Sequence, residues 1–189
     1  MQLYLQLPAV GVREAFPNED VCRERLIDVR WPAGPECPMC RSDDVGFLET
    51  RRSYHCRACL TQFTVGSHTI FHRSRFSLVS WFTTAGDIIA DAAFDADVYR
   101  LTVSDIQSRL ATSHPAANRM AEIIRRDLMT ADDSLMARCI CTNERPAPPD
   151  GIEESGRSHY TWLNGQIIAH HGGAEAVHSI RSRPSSETA

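Results

Sequence analysis

The chain is 189 residues long, 42% hydrophobic and 23% charged, ordinary proportions for a globular protein with one modest domain or a small domain plus extensions. Its formal net charge of −4 excludes a uniformly basic nucleic-acid binder, so any such surface has to be local. No apolar run reaches the roughly 20 residues that a bilayer-crossing helix needs. Met1 to Val10 is short, mildly apolar and lacks the basic start of a signal peptide, so a cytoplasmic protein without membrane contact is expected.

Met1 to Glu14 reads as an irregular lead-in. Asn18 then offers an N-cap, with Glu19 and Asp20 in the first turn. Val21, Cys22, Leu26 and Val29 recur at helical spacing, which predicts a helix of about ten residues. Trp31-Pro32-Ala33-Gly34-Pro35 breaks it. The strongest signal follows: Cys37-Pro38-Met39-Cys40 and Cys56-Arg57-Ala58-Cys59, two C-x2-C pairs separated by 15 residues. That spacing suits a structural zinc site of four thiolates with no open coordination position. Seven cysteines without a secretory signal argue against a disulfide framework. Metal binding on the order of 10–16 kcal/mol replaces the core that such a small module lacks.

Val45 to Leu48, Ser53 to His55, Gln62 to Val65 and Thr69 to Phe71 read as short strands, giving a three- or four-stranded zinc ribbon. Tyr54, Phe63, Phe71 and Phe76 either stack on bases or, the simpler reading, cover the small ribbon core. Phe76 to Phe94 carries the stripe of a long helix, with Asp87 and Asp91 on its wet face. Ser104 caps a helix from Asp105 to Leu110, Ala111-Thr112-Ser113 makes a turn, and Pro115 takes the first position of a helix reaching about Leu128. A short helix, a tight turn and a longer helix form the outline of a helix-turn-helix. In the longer helix Ala117, Met120, Ala121, Ile124 and Leu128 face inward.

Beyond Thr130, Arg145 to Gly151 reads as a linker. Asn164-Gly165 between apolar segments signals a hairpin, and Arg181 to Ala189 reads as a disordered tail. Cys139, Cys141, His159, His170 and His171 have the residue types for a second metal site but no ligand spacing. The expected fold is small α+β: a four-cysteine zinc ribbon followed by an α-helical helix-turn-helix region, with a partly disordered C-terminal tail. The expected divisions are a lead-in (1–15), a short helix plus ribbon (16–75), the helical region (76–129), and a linker, hairpin and tail (130–189).

Arg51 to Gly86 contains no Asp or Glu, yet carries Arg51, Arg52, Arg57, Arg73 and Arg75. Asn118, Arg119, Arg125 and Arg126 fall on the solvent face of the last helix. Arginines on phosphates would fix register, while Asn118 or Arg119 would read base edges of double-stranded DNA.

The order of these features resembles the N-terminal part of a family of bacterial insertion-sequence transposases. The likeness is carried by Arg30-Trp31-Pro32-x-Gly34-Pro35-x-Cys37-Pro38-x-Cys40 and by Tyr54-x-Cys56-x-x-Cys59-x-x-Gln62-Phe63-Thr64-Val65. It continues through Thr69-Ile70-Phe71-His72-x-Ser74, Leu78-x-x-Trp81-Phe82 and Ala117-x-Arg119-Met120-x-x-x-Ile124-Arg125. The resemblance implies a helix, a zinc ribbon and a helix-turn-helix, followed in the family by a DDE-type catalytic domain. This sequence departs from the family pattern at His68 and Ala111, where a Gly is usual, at Ser77, where a Pro is usual, and at Asn118, where an aromatic is usual. Asp132-Asp133 and Glu153-Glu154 read as solvated charge rather than a metal-holding triad, so no enzyme activity is expected. The expected function is a zinc-dependent DNA-binding regulator or accessory factor, nucleoid-associated. Two alternatives stand beside it: a protein-interaction ribbon that pairs with a transposase or the transcription machinery, its acidic run Asp87, Asp91, Asp95 and Asp97 compatible with such contacts, and an inactive truncated remnant.

Overall fold

The computed structural model describes residues 1–94, 100–154 and 156–170. The lead-in is not irregular: it forms two single-turn helices, α1 (Gln2–Leu5) and α2 (Val12–Ala15). Leu7, Val12 and Phe16 bury themselves against the helical body, and that burial organises a segment too short to show a period. Helix α3 (Glu19–Arg30) starts as its sequence dictates, with the Asn18 carboxamide oxygen accepting from the amides of Asp20 (3.1 Å) and Val21 (3.0 Å). It stops at Trp31, which leaves the helical region at φ −132, ψ 66 because the ring of Pro32 crowds a helical residue before it.

Three short strands follow: β1 (Val45–Leu48), β2 (Ser53–Cys56) and β3 (Gln62–Phe63). They form one antiparallel sheet in that order, with Val45 opposite Cys56 and Tyr54 opposite Phe63. The expected strand over Thr69 to Phe71 is instead a chain of tight turns. Amide 69 donates to carbonyl 66, amide 72 to carbonyl 69 and amide 74 to carbonyl 71, so the backbone satisfies itself locally and offers nothing to the sheet.

Helix α4 (Leu78–Ala93) is the central beam. The Ser77 hydroxyl caps it, accepting from the Ser80 amide at 3.1 Å. Glu19 reaches over from α3 to accept the Leu78 amide at 2.8 Å, placing a carboxylate at the positive end of α4. Phe82 is fully buried on this helix, edge-on to Phe16 with ring centres 5.2 Å apart. Where α2 crosses α4, a Cβ on Gly86 would lie 2.8 Å from Val12 Cγ2, so the close approach requires glycine.

Helices α5 (Val103–Leu110) and α6 (His114–Leu128) are joined by three residues. The cap of α5 is Thr102, not Ser104. Its hydroxyl accepts from the Asp105 amide at 3.2 Å while the Asp105 carboxylate accepts the Thr102 amide at 2.8 Å, a reciprocal box that satisfies two otherwise orphaned donors. Pro115 stands second in α6, not first. Of the inward set, Ala117, Met120, Ala121 and Ile124 are buried, while Leu128 is half-buried against the core.

The expected break at residue 130 does not occur. Helix α7 (Leu135–Ile140) inserts Met136, Cys139 and Ile140 into the core at 0% exposure. Arg25 of α3 caps the end of α7, donating to the carbonyls of Arg138 and Cys139, both at 2.9 Å. Arg138 in turn donates to the end of α3 through the Val29 carbonyl at 2.8 Å. Thr142 and Asn143 then tie their amides to Gln6 O. The expected hairpin is instead a helix, α8 (Arg157–His170). His159, Leu163 and Ile167 are buried at successive i+4 positions, and the helix packs on α1. Residues 171–189, which include His171 and the expected tail, lie outside the described residues, as do Asp95 and Asp97. No helix among the described residues is long and apolar enough to cross a membrane.

Candidate metal centre and nucleic-acid interface

Each C-x2-C pair folds into the same turn. In the first, the Cys37 amide donates to Ser42 O and the Arg41 amide returns to Cys37 O, both at 2.9 Å. In the second, the Cys56 amide donates to Thr61 O at 2.9 Å and the Leu60 amide to Cys56 O at 3.0 Å. Arg41 and Leu60, each directly after the second cysteine of its pair, both take left-handed backbone, at φ 60 and 62. The two turns are thus copies of one device, each aiming two sulfurs at a common point. The sheet brings the turns together, because β1 follows the first and the second links β2 to β3.

The four Sγ atoms of Cys37, Cys40, Cys56 and Cys59 all lie within 4.8 Å of one another. Cys37 to Cys59 is 3.6 Å and Cys40 to Cys56 is 3.5 Å. A tetrahedral Zn²⁺ with sulfur arms of about 2.3 Å has sulfur–sulfur edges near ~3.8 Å, whereas a disulfide needs about 2.05 Å. The donor set and its spacing therefore fit a structural zinc ion. Below it, Trp31, Tyr54 and Phe63 form the ribbon's aromatic floor: Tyr54 and Phe63 stack at 5.5 Å and Trp31 meets Tyr54 edge-on at 5.1 Å. Of the four aromatics singled out in the sequence, Tyr54 and Phe63 cover the ribbon core, whereas Phe71 meets Trp81 of α4 edge-on at 5.4 Å and Phe76 is half-buried against the core.

The cysteines differ in acidity. The Thr61 hydroxyl, 3.2 Å from Cys59 Sγ, draws that thiol down to about 6, while Cys40, although a backbone hydrogen bond at Ser42 lowers it, is pushed up to about 12 by the neighbouring Cys59 and Cys56 sulfurs. Burial instead pushes Cys22 and Cys139 up to about 12 and Cys141 up to about 11, which keeps them protonated and inert. Among the described residues the four ribbon cysteines are the single cluster with metal-ligand geometry.

The basic residues divide. The stretch from Arg51 to Gly86 is acid-free in sequence but not in space. Asp20 reaches Arg52 at 2.6 Å and Asp44 reaches Arg57 at 2.8 Å, so two of the expected phosphate contacts already have partners. Arg51 and Arg126 are exposed. Arg125 is half-buried and lines an apolar cleft with Met1, Leu3, Ile88 and Leu128. Asn118, expected to read bases, donates its amide to Glu122 Oε1 at 2.8 Å. Of the acidic run, Asp87 pairs with Arg109 and Asp91 accepts the Leu101 amide at 2.7 Å; both serve the fold.

Arg73, Arg75 and Arg119 come together. They line a cleft of about 670 Å³ between the ribbon's exit and the start of α6, with His72, Ser113 and Pro115 on its walls. Among the described residues none of the three arginines is in an ion pair. No side chain caps α6, so the positive end of that helix opens where the arginines converge. His72 was missed by sequence reasoning, and its position three residues before Arg75 gave no hint that it would share the wall with α6.

Residues 17–62 match the transposase zinc-ribbon domain family. An uncharacterized protein in transposable element ISH50 of Halobacterium salinarum is 31% identical over 72 residues, 36% of this chain and 24% of that protein. The chain thus spans about a quarter of that relative's length. No solved structure matches. The stretch that matches the ribbon family contains all four clustered cysteines and ends before Arg73, so the likeness to transposase ribbons covers the metal centre and stops short of the cleft at α6.

Proposed function

We propose that this chain is a non-catalytic, zinc-dependent binder of double-stranded DNA built on a transposase-type ribbon. The observation that carries the reading is the convergence of Arg73, Arg75 and Arg119 on the uncapped start of α6. Three unpaired guanidiniums beside a helix N-terminus match the demands of a DNA phosphate, an anion with several acceptor oxygens. In this reading α5, its turn and α6 act as a helix-turn-helix, with α6 in the major groove and the exit loop of the ribbon on the adjoining backbone. Zn²⁺, held by Cys37, Cys40, Cys56 and Cys59, supplies folding energy and no chemistry, since four protein thiolates leave no position for a substrate. Arg51 and Arg126 extend the basic surface; Arg52, Arg57 and Arg125 are secondary contacts because each is partnered or half-buried. A location on the nucleoid follows from DNA binding.

The test is duplex binding by the zinc-loaded protein between about 50 and 200 mM salt. Three phosphate contacts give a log–log slope of about −2.7. A triple Arg73→Ala, Arg75→Ala, Arg119→Ala variant should flatten it. A salt-independent affinity in the parent protein would sink this reading.

A second reading has one observation in its favour. Met39, Phe47 and Leu60 expose 60%, 51% and 72% of their surface on the ribbon, an apolar display suited to a protein partner such as a transposase or part of the transcription machinery. Recovery of a protein partner from nuclease-treated lysate, lost in a Met39→Ser, Leu60→Ser variant, would favour it.

A further inference from the structure

Glu122 stands on the solvent-facing stripe of α6, where Pro115, Arg119, Glu122 and Arg126 follow one another at helical spacing opposite the buried Ala117, Met120, Ala121 and Ile124. A carboxylate there is repelled by phosphates, so on a DNA-facing helix it must either be neutralised by a cation or be directed at a base. Arg119 and Arg126 are three and four residues away, within reach on the helix, yet among the described residues neither pairs with Glu122. The Asn118 amide holds one carboxylate oxygen at 2.8 Å instead. Because a carboxylate only accepts, this contact fixes which way the Asn118 amide points: one of its two N–H groups is on Glu122.

Resting on the DNA-binding reading, we infer that Glu122, positioned by Asn118, is the residue of α6 that selects a cytosine in the major groove. What Glu122 itself offers to a base edge is an acceptor only, its free carboxylate oxygen. Cytosine presents its N4 amino donor there. Adenine presents a donor beside the N7 acceptor, which would face the carboxylate's lone pairs. Guanine and thymine present acceptors and are repelled. Glu122 thereby lowers affinity for every sequence except those that place a donor against it.

The experiment is selection from random duplex DNA with the zinc-loaded parent, Glu122→Gln and Asn118→Ala proteins, followed by affinity measurements on the selected site with each base at each position. The parent should prefer cytosine at one position by about tenfold. Glu122→Gln keeps the size and hydrogen bonding of an exposed side chain but adds a donor, so at that position alone the preference should move to adenine or vanish. Removing the negative charge should also raise affinity for unrelated DNA severalfold. Asn118→Ala should weaken the same preference without moving it. A parent motif that Glu122→Gln leaves unchanged overturns the inference and leaves DNA binding standing. No enriched motif from a parent that still binds duplex DNA overturns the inference alone, while a parent that binds no duplex DNA overturns both. A merely structural Glu122 would change neither the base preference nor the affinity for unrelated DNA.

Discussion

The ribbon and the helical body solve the same problem by different means. In the body, Leu26, Phe82, Ile106, Met120, Ile124, Met136 and Ile140 are buried to 2% exposure or less, and burial of such side chains contributes about 1.5–3 kcal/mol each. The ribbon has three buried aromatic rings, Trp31, Tyr54 and Phe63, with three short strands and left-handed turns at Arg41, Arg52 and Leu60. That is too little apolar area to fix so many backbone conformations. A zinc ion held by the four cysteines would make up the difference, so the two regions should fail under different insults even though Trp31 and the Arg30 contact to Val65 O join them.

The largest expected effect follows from this contrast. Removing zinc with a chelator, or replacing Cys56 with Ser, withdraws on the order of 10 kcal/mol from the ribbon. Amide exchange should then accelerate across residues 31–65 while α4 and α6 stay protected and the far-UV helical signal persists. Simultaneous loss of protection in both regions would show that the body depends on the ribbon. The converse insult is Met136→Ala in α7. It should destabilise the body by about 2–5 kcal/mol, read by urea unfolding, and leave zinc affinity unchanged.

The two regions also differ in how much of them could be read from sequence. The ribbon is written in cysteine spacing, a chemical requirement that survives without knowledge of the surroundings. Helix α3 is likewise declared by Asn18 and its neighbours. Helix α7 has only six residues, too few to display a period, and it exists because Asp127, Arg25 and Ser134 satisfy its ends: Asp127 accepts the Met136 amide at 2.9 Å and Ser134 the Ala137 amide at 3.0 Å. In α8 the local turn preference of Asn164-Gly165 loses to the burial of His159, Leu163 and Ile167 at i+4 spacing, a tertiary effect that outweighs a local one. The candidate interface was half legible for a related reason. Sequence shows where the arginines are but not that Asp20 and Asp44, 32 and 13 residues distant, partner two of them, nor that the ribbon exit meets α6.

Contacts between elements of the body give a smaller effect. Gly86→Ala places a methyl 2.8 Å from Val12 Cγ2. Overpacking of this kind costs about 1–3 kcal/mol, against about 1 kcal/mol regained from helix propensity, so a modest net loss is expected. The cause can be isolated: Val12→Ala should cost less in the Gly86→Ala background than alone. Equal costs would mean that α2 simply moves away from α4.

The smallest effect has the opposite sign and tests the turn before α6. Ala111 closes α5 in left-handed backbone at φ 45, ψ 48, with its own amide on Ser108 O and the Thr112 amide on Gln107 O. This paired pattern ordinarily uses glycine, which has no Cβ to crowd the carbonyl. Ala111→Gly should therefore relieve strain and stabilise the body by about 0.5–1 kcal/mol even after the added freedom of the unfolded chain is counted, raising its melting temperature by about 2–4 °C. The ribbon, where Arg41, Arg52 and Leu60 hold similar backbone, gives the matching control. Leu60→Gly should relax a turn already held by the metal and leave the melting of the body where it was. A gain at Leu60 that equals the gain at Ala111 in that melting would mean that the two regions unfold as one, and the division between metal-held ribbon and core-held body would have to be abandoned.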